Sequence, residues 1–285
     1  MRSGLILKLS SPDQPGIVAK IASYVAAHHG NLIEFSQFSD QIGKKFFARL
    51  EIDTTQLNID VEQFKTNFNP LGQELHATWH FRNLPYKMRT AVLVTKTDHC
   101  LNEIIWRSEL NELPIEITSV IGNRENCRAI AERSGLPFHY VEMSGAIREQ
   151  GFANIRELLI EQDVELIVLA RFMQILPASF CDEFSGKIIN IHHSFLPAFI
   201  GANPYRQAYD RGVKLIGATC HYVTNDLDAG PIIEQEVERV NHFHSPNDLS
   251  RLGRQCERIA LAKGIRYHVH DRTLIDGNRA IVFPD

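Results

Sequence analysis

Lys187-Ile-Ile-Asn-Ile-His-His-Ser-Phe-Leu-Pro197 opens on an apolar, β-branched run and ends in polar side chains. Such a run reads as a strand whose end meets solvent. Three others share the texture: Ala91-Val-Leu-Val-Thr95, Ile115-Glu-Ile-Thr-Ser-Val-Ile121 and Val164-Glu-Leu-Ile-Val-Leu-Ala170, spaced by helical segments. The alternation predicts an α/β domain with a mostly parallel sheet, helices on both faces and a ligand site at the carboxyl ends of the strands. A last helix is predicted from Ser245-Pro-Asn-Asp248, with Leu249, Leu252, Cys256 and Ile259 as its buried stripe.

Within the first run, period-two geometry puts Asn190 and His192 on one face and Ile189 and Ile191 on the other, packed face. An Asn amide can donate to a developing oxyanion. A neighbouring imidazolium can add a second bond or release a proton to a leaving nitrogen, so the pair suits attack on a carbonyl. Farther on, the strand Leu215–Val223 runs into Thr224-Asn-Asp-Leu-Asp-Ala-Gly-Pro231, whose Asp228 would orient water and favour a charged His192 if the two meet in space. Taken alone, Asp-x-Gly-Pro reads equally well as a turn. His221 and Thr219 share a face of that strand, where His221 is either a support for the reacting groups or an ordinary buried histidine. His193 either supports His192 or lines the pocket.

The first 83 residues read differently. Leu5–Leu9 is extended, Ser11-Pro-Asp-Gln-Pro-Gly16 a turn and Ile17–Ala27 a helix. Leu32–Phe38 and Phe46–Ile52 flank a hairpin at Asp40-Gln-Ile-Gly43, Val61–Leu71 is helical and Ala77–Phe81 extended. This is a ferredoxin-like βαββαβ order. With Asp13-x-Pro15-Gly16 ahead of the first helix, it resembles the ACT domain, a small regulatory module. That resemblance implies an amino-acid effector such as glycine or methionine near Asp13, Pro15, Gly16 and Asn31, and a homo-oligomer; assembly without a ligand is the alternative. Residues 84–88 read as a short Pro-containing linker and 89–285 as the second domain.

Residues 1–82 carry eight basic and eight acidic side chains, the remainder 22 and 26, for a net charge of -4 over 285 residues. No basic field is present to hold nucleic acid. Five scattered cysteines without a C-x-x-C pair point to a reducing cytoplasm, and no stretch has the apolar length of a membrane span. Thirteen histidines produce pairs such as His28-His29 and His242-x-His244, but H-E-x-x-H is absent, so these read as surface or packed residues and no metal site is expected.

Asn190-x-His192-x-Ser194-x-Leu196-Pro197, followed by Asp228-x-Gly230-Pro231, resembles the folate-dependent formyltransferase family across residues 89–285. The resemblance implies a Rossmann-like catalytic fold with Asn190, His192 and Asp228 as its catalytic trio. It also implies a folate pocket formed by Phe172, Met173, Gln174, Ile175 and Leu176 on one side and Asn225 and Leu227 on the other. The implied substrate is 10-formyltetrahydrofolate, with no cofactor required. Glycinamide ribonucleotide formyltransferase, in the same family, cradles its acceptor's phosphate in a Gly-rich loop after the first strand. Here that position reads Thr95-Lys-Thr-Asp-His-Cys-Leu101, without glycine, so the backbone cannot approach a phosphate in that way. Water becomes the expected acceptor, and formyl transfer to an amine the alternative. The His192-His193 pair and Pro197-Ala-Phe-Ile-Gly-Ala-Asn-Pro204 add to the resemblance on the hydrolytic side.

Overall fold

A computed structural model describes residues 4–196 and 204–284. It divides into two compact units: Met1–Tyr86 with Asp271–Leu274 and Ile281–Asp285, and Lys87–His270 with Ile275–Ala280.

The first unit runs β1 (Gly4–Pro12), α1 (Ile17–Ala27), β2 (Asn31–Asp40), β3 (Lys45–Asp53), α2 (Val61–Asn67), α3 (Asn69–Glu74) and β4 (Thr78–Leu84). The strands form an antiparallel sheet in the order β2-β3-β1-β4. Period two buries Leu5, Leu7 and Leu9 of β1 against Phe46, Ala48, Leu50 and Ile52 of β3. Helical spacing brings Ile17, Ile21 and Val25 of α1 into the same core. Each fully buried leucine there contributes about 1.5–3 kcal/mol. The single helix expected over Val61–Leu71 is two helices. They meet at Phe68, and Pro70 in the first turn of α3 restarts the helix because proline cannot donate to the preceding turn.

The linker expected at 84–88 narrows to residues 85–87, since Leu84 ends β4 and Met88 begins the next strand. The domain expected to fill 89–285 also yields Asp271–Leu274 and Ile281–Asp285 to the first unit. Ion pairing accounts for the first of these pieces. Asp271, 1% exposed, lies 3.0 Å from Lys8 Nζ and also pairs with Arg82, while Arg272 Nη2 is 2.9 Å from Glu34 Oε2.

Burial pushes the Asp271 carboxyl up, but Lys8 and Arg82 outweigh it and hold the group below the ordinary carboxylate range. The stability this supplies is present above the unfolded value of about 3.9 and lost as pH falls through the lower folded value. Asp271→Ala, which removes the buried carboxylate shared by Lys8 and Arg82, is expected to cost about 3–5 kcal/mol at pH 7. Urea midpoints for both proteins at pH 7 and pH 3 test this: the gap should shrink in acid, and a gap that stays constant contradicts it.

The second unit adds β5 (Met88–Val94), α4 (His99–Glu109), β6 (Ile115–Gly122), α5 (Arg128–Arg133), β7 (Phe138–Tyr140), α6 (Arg148–Glu161), β8 (Leu166–Leu169), α7 (Ala178–Glu183), β9 (Ile188–His192), α8 (Pro204–Arg211), β10 (Leu215–Tyr222), β11 (Ile232–Arg239) and α9 (Pro246–Val269). The C-terminal β12 (Thr273–Asp276) and β13 (Arg279–Val282) pair with each other. The seven-stranded sheet has the order β11-β10-β9-β8-β5-β6-β7. β5 through β9 are parallel, whereas β10 is antiparallel to both its neighbours, β9 and β11. The chain builds outward from β5 through β6 and β7, then crosses back to lay β8 on the other side of β5. The crevice at the carboxyl ends of β5 and β8 is therefore the topological switch point. Ala91, Leu93, Ile167, Leu169 and Ile188 face Phe152, Ile155 and Leu159 of α6 and Phe180 of α7 in one core.

The α9 helix starts as expected, with Ser245 and Asp248 forming a capping box. Its stripe differs from the expected one. Leu249, Gly253, Cys256, Glu257 and Ala260 are buried, Leu252 is half-buried, and Ile259 is exposed. Gly253, Gly264 and the Glu257 carboxylate carry part of the buried face, which an apolar count does not register. Among the described residues no helix is long and apolar enough to cross a membrane.

Candidate active site

A cavity of about 620 Å³ opens at the carboxyl ends of β8 and β9, beside the switch point. Arg171, Asn190, His192, His193, Tyr205, His221 and Asp228 line it, together with the Phe172–Leu176 segment after β8 and the Val223–Leu227 segment after β10. A neighbouring hollow of about 640 Å³ is lined by the Arg156–Glu183 pair and contains no histidine.

The register of β9 against β10 brings the polar groups together, with His221 opposite Asn190 and Thr219 opposite His192. His221 Nδ1 is 2.9 Å from the Tyr222 carbonyl, which accepts and so places the ring proton on Nδ1. Its Nε2 is left to accept from Asn190 Nδ2 at 3.1 Å. Burial pushes the His221 pKa down, in keeping with a neutral ring. One amide hydrogen of Asn190 is thus anchored and the other is free to meet a ligand.

His192 is 7% exposed. Its Nδ1 lies 3.3 Å from Asp228 Oδ1, while its Nε2 is buried with no hydrogen-bond partner among the described residues. The hydrogen bond from His192 is the main reason the Asp228 carboxyl lies below its ordinary range. Asp228 has φ +54°, a left-handed backbone that Asp and Asn adopt more readily than other non-glycine residues. Two residues on, a Cβ at Gly230 would fall 1.9 Å from the Tyr222 carbonyl oxygen, so the loop lies pressed onto β10. The Tyr222 amide seals the contact by donating to the Pro231 carbonyl at 2.9 Å.

His193 is half-buried, its ring centroid 5.3 Å from that of His192 and 6.3 Å from that of Tyr205. Burial, and then the Arg171 charge, push its pKa down to about 4, so it is neutral near pH 7. Thr219 does not join the reacting groups. Its hydroxyl donates to the Ser194 carbonyl at 3.0 Å and accepts from the Leu196 amide and Gln235, each at 3.1 Å, fixing the turn after β9.

Of the residues expected to hold folate, Phe172 belongs to the hydrophobic core and Leu176 packs against it. Met173, Ile175 and Leu227 expose 56%, 59% and 61% of their surface around the cavity, an apolar rim suited to a flat heteroaromatic ring. Gln174 also lines the cavity. Thr95, at the end of β5, accepts from the Met173 amide at 3.0 Å, and Asn225 donates to Asp182 at 2.7 Å. Pro197 and residues 198–203 of the expected motif lie outside the described residues.

The sequence reading missed a second cluster. Glu257, 1% exposed, accepts from His99 Nε2 at 2.8 Å and from the Tyr205 hydroxyl at 2.6 Å, and Arg171 Nε lies 3.5 Å away. His99 was legible only as part of a glycine-free loop, and Glu257 as one more charge on a helix. With Cys100 these residues include metal-type donors within 4.8 Å of one another. The glutamate oxygens and His99 Nε2 are already spent on one another, on the Tyr205 hydroxyl and on Arg171, so the cluster reads as an ion-pair network.

In the first unit, Gly16 has φ +88° and caps α1. Asp13 lies just past Pro12, which pairs with Lys45, whereas Asn31 pairs with Asp53 at the other end of β3. At roughly 3.3 Å per residue along β2, Asp13 and Asn31 stand on the order of 30 Å apart. The four expected effector residues therefore do not converge within one chain.

Residues 88–265 match the Formyl transferase family and residues 5–69 the ACT domain. Fold and site together thus define a formyltransferase-fold protein that carries an ACT domain. A formyltetrahydrofolate deformylase from Bacillus subtilis is 45% identical over 278 residues, covering 97% of this chain and 93% of that protein. The crystal structure of a formyltetrahydrofolate deformylase from Pseudomonas syringae pv. tomato aligns with a TM-score of 0.97 at 41% identity, covering 100% of this chain and 95% of that one. A glycinamide ribonucleotide transformylase from Symbiobacterium toebii aligns with a TM-score of 0.67 at 29% identity, over 71% of this chain and 97% of that one. The chain belongs to the formyltetrahydrofolate deformylase family.

Proposed function

We propose that the protein hydrolyses 10-formyltetrahydrofolate to formate and tetrahydrofolate, with Asn190, His192 and Asp228 as the reacting side chains. The observation that carries this is the His192 imidazole, tied through Nδ1 to a carboxylate and left with a buried, unpartnered Nε2 beside an Asn amide. That is the polarity needed on both sides of a carbonyl under attack. The pterin ring would lie between the Phe172–Leu176 and Val223–Leu227 segments.

Water, held by Asp228, adds to the formyl carbon and gives up a proton to the carboxylate. The oxygen that becomes negative takes hydrogen bonds from the free Asn190 amide hydrogen and from Nε2–H of doubly protonated His192. As the tetrahedral adduct collapses, the C–N bond breaks, His192 passes its Nε2 proton to the departing nitrogen, and formic acid leaves, releasing its hydroxyl proton to solvent to become formate. A proton shift from Asp228 to His192 across their 3.3 Å contact restores the pair. The scheme draws polarisation, proton transfer and water placement from these three residues and calls on no metal or cofactor. A cytoplasmic location belongs to the same reading, supported by five buried free thiols.

The split between Asp13 and Asn31 supports an effector site completed by a second copy of the chain, and hence a homo-oligomer. Glycine or methionine is the effector in this reading. One assay tests the whole. Supplied with formyl folate and no acceptor, the protein should release formate at full rate, and the rate should respond to glycine or methionine with the sign that their binding to the intact chain requires. Absolute dependence on an added amine would remove hydrolysis. Absence of amino-acid binding and of any rate response would remove the effector.

A further inference from the structure

The cavity has two chemically distinct ends. One is apolar, built by the segments after β8 and β10. The other is polar, built by Arg171, His193 and Tyr205, with Glu257 and His99 behind them. In the hydrolytic reading a folate ring fills the first, and the second borders the path by which an acceptor reaches the formyl carbon.

Arg171 sits at that end under unusual local conditions. Its backbone has φ +65°, unfavourable for a long side chain. Its side chain is 15% exposed, and Nε and Nη1 are buried without hydrogen-bond partners. Glu257 holds it in place. Burial pushes that carboxyl up, but His99 and Arg171 outweigh it, so the group is a fixed anion. Tyr205 keeps its phenolic proton, its pKa raised by burial and by Glu257. Gly253, one helical turn before Glu257, makes the arrangement fit: a Cβ there would fall 2.1 Å from the Tyr205 ring and hydroxyl. A helix, the strand end after β8 and the start of α4 thus converge to fix one guanidinium on the cavity wall.

We propose that Arg171, locked by Glu257, Tyr205 and His99, closes the nucleophile side of the cavity to amines and so restricts the formyl acceptor to water. This rests on the hydrolytic reading above. Two effects act together. The guanidinium fills space that a nucleophile larger than water must occupy. Most aliphatic amines are also ammonium ions near neutral pH, and a permanent cation on the wall repels them, whereas water meets no such penalty. His193 stays neutral beside the guanidinium and adds no charge of its own.

The test is a partition measurement on the full-length chain with formyl folate and glycinamide, reading formate against N-formylglycinamide. Both products arise at one site, so their ratio is independent of the fraction of folded protein. The wild type should yield formate alone. Arg171→Gly relieves the left-handed backbone and opens the space, and Arg171→Met keeps the bulk without the charge. The formylated amine should rise about tenfold or more relative to formate in Arg171→Gly, and by less in Arg171→Met. An unchanged ratio in both variants while formate is still released overturns the proposal. So does loss of both products together, which would assign Arg171 to bond cleavage itself. Failure of the hydrolytic reading is distinguishable, because the wild type would then release no formate without the amine.

Discussion

Asp228→Asn lowers turnover by about 10³–10⁴-fold and leaves folate binding largely intact. Asn is close in shape, and Asn tolerates the left-handed backbone that Asp228 adopts at φ +54°, so the loop keeps its course. The proton arrangement does not survive. The carboxylate accepts from Nδ1 of His192 and thereby frees Nε2 to donate. An amide carries no charge to keep the ring doubly protonated: when its oxygen accepts from Nδ1–H of a neutral imidazole, Nε2 becomes a bare acceptor facing an oxygen that is gaining negative charge. The charge that holds the attacking water is lost as well. Steady-state kcat and KM, with the dissociation constant of tetrahydrofolate, separate these contributions. A variant that retains more than a tenth of wild-type turnover contradicts the assignment of Asp228.

Asn190→Ala is expected to depress kcat by about 10²–10³-fold, equivalent to about 2.7–4 kcal/mol of transition-state stabilisation, with a much smaller change in KM. The asymmetry follows from the geometry. One amide hydrogen is tied to His221 at 3.1 Å, so the other is held ready for an oxyanion rather than recruited on binding. A ground-state carbonyl gains less from such a donor than the tetrahedral adduct does. Loss of affinity at constant kcat would make Asn190 a binding group only, and turnover that persisted nearly intact would remove it from the mechanism.

Local periodicity explains what the sequence made legible. In β9 the alternation of isoleucines with Asn190 and His192 specifies which side chains share a face, and no distant information is needed to read it. The ferredoxin-like unit is similarly transparent, because Leu5, Leu7 and Leu9 in a strand and Ile17, Ile21 and Val25 in a helix each follow a single period. The remainder depends on partners remote in the chain. Glu257 looks solvent-facing until His99, Tyr205 and Arg171 are brought to it, and Asp271 belongs to the first unit only because Lys8 and Arg82 wait there. The left-handed backbones of Arg171 and Asp228 leave no compositional trace, since neither residue is glycine. Splitting of the expected effector set between the two ends of β2 likewise follows from strand direction rather than from any motif.

Gly230 abuts Tyr222 so closely that not even a methyl group fits between them. The acid three residues beyond Asn225 therefore inherits its coordinates from a sheet strand, while the exposed Leu227 beside it is moulded only by what it touches. In the hydrolytic reading, carrier recognition by Leu227 and bond scission by Asp228 would stand on separate mechanical footings. Exchange of Leu227 is then expected to alter which heterocycle is accepted without retuning the acid, which marks this position as the place to begin redirecting the scaffold toward other N-formyl compounds.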